Sequence, residues 1–127
     1  MIEFKELRIG NLVKCKVSND AGIYKVWNIN GLGERVIIDR AGMETHQTTN
    51  IKPIPITEEW LLKFGFELDG DEYYNDIHGV YPNVKDGGYC FMVFESEYIT
   101  VNTILKHVHQ LQNLYFALAG EELEIKE

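Results

Sequence analysis

Apolar and polar residues change rhythm several times along this chain, and each rhythm predicts an element. From Val13 to Val17 apolar and basic residues alternate, the period of a half-buried strand. Ile23 to Ile29, rich in β-branched and aromatic residues, reads as a second strand, Arg35 to Asp39 as a third and Glu44 to Ile51 as a fourth. Ser18 to Gly22, Asn30 to Gly33 and Ala41 to Met43 read as turns, because Asn and Gly tolerate positive φ. Strands this short must curl or pack to hide an apolar face. Residues 1–54 are therefore expected to form an SH3-like small β-barrel.

The stretch from Lys52 to Pro55 is extended, since proline fixes φ and restricts the residue before it. A short helix is predicted near 57–64. Thr57 caps it, Glu58 and Glu59 suit the positive end of its dipole, and Gly65 supplies a left-handed C-terminal cap with Phe66 folding back on Leu61. Phe66 to Leu68 and Glu72 to Tyr74 then read as a hairpin around Asp69 to Asp71. Val80 to Val84 and Gly88 to Phe94 flank a second turn, with Pro82 demoting the first of them to an edge or irregular strand. Tyr98 to Val101 reads as one more strand. A long helix is predicted near 103–119, from a cap at Asn102 to Gly120, with Ile104, Val108, Leu111, Tyr115 and Leu118 on one stripe. Leu105 and Phe116, with Gln112 between them, form a narrower second stripe. Leu123 and Ile125 alternate with Glu124 and Lys126 as a final strand. The fold class expected is α+β: the small barrel packed on a unit, residues 55–127, with two helices and an antiparallel sheet. Whether the two units share one core is open at this level.

Composition sharpens this division. The 127 residues are 45% hydrophobic, enough for a core and too much for a disordered chain. Residues 1–56 hold 8 Lys and Arg against 6 Asp and Glu, whereas residues 57–127 hold 4 against 14. Of the 15 aromatic residues, 12 lie after residue 56. A shift of charge and aromaticity at one point marks two structural units. The first residues lack the basic and apolar regions of a signal peptide, and no run approaches the ~20 apolar residues of a membrane span. A cytoplasmic protein with no membrane partner is expected. Cys15 and Cys90 lie in apolar runs and read as buried thiols.

Each chemical motif falls short on spacing. His107 and His109, placed on one helix, diverge by about 200° and cannot share a metal. His46 and His78 have no second ligand at metal-binding spacing. The segment Asp69 to Asp76 puts Tyr73 and Tyr74 where a calcium loop needs an oxygen ligand and a glycine. Gly31-Leu-Gly33 lacks the third glycine and the following helix of a dinucleotide site. Ser18 and Ser96 lack the setting of an activated nucleophile, and the adjacent pairs Glu58/Glu59 and Glu121/Glu122 diverge on a helix. No cofactor, metal or catalytic residue is therefore assigned. A basic barrel face of Lys14, Lys16, Lys25 and Arg35, joined by Arg40 and with Tyr24 or Trp27 as stacking platform, is a candidate for nucleic acid, which the net charge of −8 disfavours. Leu105, Gln112 and Phe116 are a candidate protein interface.

Three segments, Leu7 to Val13, Pro53 to Phe66 and Val108 to Leu123, carry a resemblance spanning most of the chain. They resemble a family of small proteins from phage and mobile-element regions of Bacteroidetes genomes. Its members often have Thr where this chain has Ala119. The resemblance implies a cytosolic, phage-encoded context and, since the family has no established activity, transfers no site residues. The expected function is a non-enzymatic protein-binding or adaptor module. The alternatives are a nucleic-acid-associated phage protein using the basic face, and an enzyme whose site is dispersed, with His107 or His78 beside a buried carboxylate.

Overall fold

A computed structural model describes residues 7–16, 22–30, 35–40, 42–47, 50–75, 77–83, 85, 87–94 and 98–126. Of the turns expected at Ser18 to Gly22, Asn30 to Gly33 and Ala41 to Met43, positions 18–21, 31–33 and 41 lie outside these residues. The described residues form two five-stranded antiparallel sheets and two helices. The first sheet contains β1 (Leu12–Cys15), β2 (Tyr24–Asn30), β3 (Arg35–Ile38), β4 (Glu44–Gln47) and β5 (Ile51–Lys52), in the order β4-β3-β2-β1-β5. The alternation read in the sequence sorts its faces. Val13, Cys15, Val26, Val36, Ile38 and Ile51 are buried together, with Leu7 beside them. Lys14, opposite Lys52, and Arg35 point the other way.

This sheet is not closed into a barrel: β4 and β5 are its edges. It is nevertheless strongly curled. Flat strands three places apart stand ~14 Å from each other, yet Cys15 Sγ on β1 lies 3.9 Å from His46 Nε2 on β4. A register shift between Val26 and Asn28 marks a bulge in β2 of the kind that raises local twist.

Helix α1 (Glu58–Lys63) follows the predicted caps closely. The Thr57 hydroxyl accepts from the Trp60 N–H at 3.4 Å. At the other end, Phe66 N–H donates to the Leu61 carbonyl and Gly65 N–H to that of Leu62, both at 3.0 Å, with Gly65 at φ 87°. This pairing satisfies two carbonyls that the helix end would otherwise strand.

The second sheet has the order β10-β9-β8-β7-β6, from β6 (Glu67–Asp69), β7 (Glu72–Asn75), β8 (His78–Pro82), β9 (Tyr89–Phe94) and β10 (Tyr98–Leu105). Tyr73, Val80 and Phe91 form one cross-strand row, and the apolar sides of α1 and α2 (Val108–Ala119) cover it. Pro82 does not put β8 at an edge. The strand is central, and the proline is tolerated as its last residue, paired with Tyr89.

Helix α2 starts at Val108, not at Thr103, and its N-cap is His107 rather than Asn102. Residues 103–105 extend β10 along β9 instead. Ile104 has helical spacing to Val108, but the β-branched run before it prefers an extended chain and finds a partner strand. Gln110 Oε1 accepts from the backbone N–H groups of Lys106 and His107, at 2.9 and 3.0 Å, and so ties down the helix start. Gly120, at φ 77°, ends the helix as expected. Residues 121–126 form no strand, although Leu123 is buried in the core.

Replacing Gly65 by Ala should test the α1 cap. An added Cβ would sit on a left-handed backbone and come within 2.9 Å of Cγ of Lys126, a residue held to α1 by its own N–H. The expected loss is about 1 kcal/mol in urea unfolding. An unchanged midpoint would show that the cap carries no stability.

Candidate functional site

Strand β1 and helix α2 meet through polar side chains whose partners are far apart in sequence. Gln112 is buried on α2. Its Oε1 accepts the Leu12 N–H at 2.8 Å, and its Nε2 donates to the Gly10 carbonyl at 3.2 Å. Asn113 Oδ1 accepts from Asn11 Nδ2 at 2.8 Å and from Arg8 Nε at 3.0 Å. The Arg8 guanidinium also donates to both oxygens of Glu122, at 2.5 and 3.2 Å, and to the Gln112 carbonyl at 3.3 Å. Its carbon lies 4.4 Å from the centre of the Phe116 ring, a cation–π contact.

Beside this network lies a groove of about 540 Å³, within the range of roughly 300–1,000 Å³ typical of ligand sites. Leu12, Phe64, Gln112 and Leu123, all buried, contribute to its lining. Ile9 and Ile125 flank them and are 56% and 46% exposed. Lys25, Glu122 and Glu124 supply the charged lining. The groove offers an apolar floor with charged groups around it, the chemistry of a seat for apolar side chains.

The residues singled out in the sequence are distributed unevenly around it. Of the proposed protein interface, Phe116 is 40% exposed, but Leu105 is 3% exposed and packed in the core, and Gln112 is buried in the network. Leu105 presents no surface to a partner, and Gln112 reaches only the lining of the groove. The basic set comes together better. Lys14 lies opposite Lys52, and Lys25 lies opposite Leu12. By alternation Lys16 and Arg35 share that outer face, and Trp27, in the bulge, is 54% exposed. Tyr24 instead packs against the inner cluster, and Arg40 pairs with Glu44 at 2.8 Å.

The histidines are placed by packing. His78 is buried, 5.0 Å from the Tyr115 ring and 5.9 Å from that of Phe91. His107 and His109 do not diverge, because His107 precedes the helix: their rings stack at 5.9 Å. Among the described residues no Asp or Glu is buried, and no group of three or more His, Cys, Asp or Glu could hold a metal. One juxtaposition was not legible in the sequence: the curl brings His46 Nε2 to Cys15 Sγ and, at 2.9 Å, to Glu44 Oε1. Hydrogen bonds from Arg40 first and His46 second hold the Glu44 carboxyl below its ordinary range. A nucleophilic relay needs the carboxylate and the thiol on opposite ring nitrogens. Here both meet Nε2, and the thiol is buried.

A second groove, of about 580 Å³, opens at the β6–β7 edge, lined by Leu68, Gly70, Asp71, Glu72, Tyr73, Tyr81 and Pro82. In its wall Tyr73 donates its hydroxyl to Glu58 Oε2 at 2.7 Å. This bond foremost, with burial and the Glu58 charge, pushes the Tyr73 hydroxyl up to about 12. Burial, then the same carboxylate, raises Tyr89.

The chain matches no protein-family model, no curated protein and no solved structure. Among the described residues no helix is long and apolar enough to cross a membrane.

The Tyr73–Glu58 pair makes a signed prediction. An unfolded tyrosine ionises near 10, so the pair's contribution to stability is complete below about pH 10 and is lost as pH rises towards about 12. Tyrosinate absorbance should show a late-ionising fraction, the latest of it from Tyr73, and Glu58→Gln should bring that down towards the ordinary value. Identical titrations of the two proteins would refute the assignment.

Proposed function

We propose that this protein is a non-enzymatic binding module that seats an apolar segment of a partner protein in the junction groove. The supporting observation is the pair of half-exposed isoleucines, Ile9 and Ile125, beside a buried apolar floor. Exposed apolar side chains around a preformed groove have the character of an interaction surface. Two context readings go with this. We take the curled first sheet as SH3-like, and the setting as cytoplasmic and phage-encoded. The three segments that carry the family resemblance all contribute to this junction: Arg8, Asn11 and Leu12 from the first, Phe64 from the second, and Gln112, Asn113, Glu122 and Leu123 from the third.

One observation favours a second reading. The strand register gathers Lys14, Lys16, Lys25, Lys52 and Arg35 on one sheet face with Trp27 exposed, an arrangement suited to single-stranded nucleic acid. Against it stand the net charge of −8 and the carboxylates of Glu122 and Glu124, which line the junction groove together with Lys25.

A photo-cross-linking residue placed at Ile125, and separately at Trp27, separates the two in living cells. The expected result is a protein adduct from position 125 that Ile9→Glu abolishes, while Ile9→Glu changes stability by less than about 0.5 kcal/mol because the site is exposed. Nucleic acid captured from position 27, lost when Lys14, Lys16 and Arg35 become Ala, with no adduct from position 125, would overturn the first reading for the second.

A further inference from the structure

We propose that the open edge of β6 in the second sheet, with the groove beside the β6–β7 hairpin, is a separate docking site for an extended, basic segment of a partner protein. Strand β6 is an edge strand, and Glu67, Leu68 and Asp69 are all exposed. An edge strand offers unpaired N–H and C=O groups along one side, which an extended chain can complete. Next to it the 580 Å³ groove presents Leu68, Tyr73, Tyr81 and Pro82 as apolar and aromatic surface, with Asp71 and Glu72 as charged lining.

The charge pattern selects the occupant. From Phe64 to Val84 the chain has five Asp and Glu and no Lys or Arg. Asp71 in the turn is exposed and lines the groove with Leu68, itself 54% exposed, while Glu67 and Asp69 are exposed on the same edge strand and by alternation project from its other face. Long basic side chains suit such a surface: their methylene stems cover aromatic and aliphatic groups while their heads meet carboxylates. An anionic polymer is repelled here. So is the β6 edge of a second copy, which carries the same carboxylates. Tyr73 is held in place from behind by its bond to Glu58, so the groove wall is set before any ligand arrives. This site shares no lining residue with the junction groove.

The test uses the full chain and two labelled peptides, one alternating Arg and Val and the other Glu and Val. Fluorescence anisotropy gives affinity, and amide hydrogen exchange gives location. The basic peptide should bind and slow exchange in Glu67–Glu72. Asp71→Lys, in an exposed turn, should weaken it about tenfold, as expected for reversing one rim charge, while Ile9→Glu should leave it unchanged. Equal binding of both peptides, protection at Glu121–Glu124 instead, or an Asp71→Lys variant of full affinity would overturn the proposal.

Discussion

The fold depends on one buried amide. Gln112 spends its acceptor on the Leu12 N–H and its donor on the Gly10 carbonyl, so an α-helix completes the hydrogen bonding of a strand in the other sheet. The Leu12 N–H needs a partner where water is excluded, and leaving such a group unpaired costs about 1–3 kcal/mol. The surrounding bonds among Arg8, Asn11, Asn113 and Glu122 set the same register a second time. Leu12 then belongs to the apolar cluster of the second sheet, while its neighbour Val13 belongs to that of the first. A single strand thereby contributes to both cores.

This arrangement places the junction groove. The groove exists because β1, the end of α1 and the segment after α2 converge without filling the space between them. Lys126 N–H donates to the Lys63 carbonyl at 2.6 Å, which fastens the C-terminal segment against α1 and keeps Ile125 beside the opening. The second groove has a different origin: it lies where the β6–β7 turn meets the end of β8. The two surfaces differ accordingly, one apolar with mixed charge and the other aromatic and acidic.

What the sequence discloses here is what local physics decides. Helix α1 was legible to the residue at its caps, because Thr57, the two glutamates and Gly65 act within one turn of the helix ends. The first three strands of the first sheet were legible from alternation and β-branched composition, and so was the face shared by Lys14, Lys16, Lys25 and Arg35. The single strand expected over Glu44 to Ile51 is instead two, β4 and β5, at opposite edges of the sheet, because each finds a different partner strand. The start of α2 was not, because Ile104 fits a helical stripe as well as a strand and only pairing with β9 decides between them. Leu105 was misplaced for the same reason. Gln112 stood out as a polar residue among apolar ones, but its meaning lay in residues about 100 positions away. The same distance in sequence hid Arg8 and Glu122, and the curl that brings Cys15 to His46 is a property of the whole sheet.

Coupled through the Gln112 clamp, the two sheets should unfold as one body. The two tryptophans report on the two sides, Trp27 on β2 and Trp60 on α1. Urea unfolding of the Trp27→Phe and Trp60→Phe proteins, each with and without Gln112→Ala, tests it directly. Coincident transitions are expected while Gln112 is present, and in the Ala variants a Trp27 transition at lower urea than that of Trp60. Transitions already separate with Gln112 present, or unmoved by its loss, would contradict it.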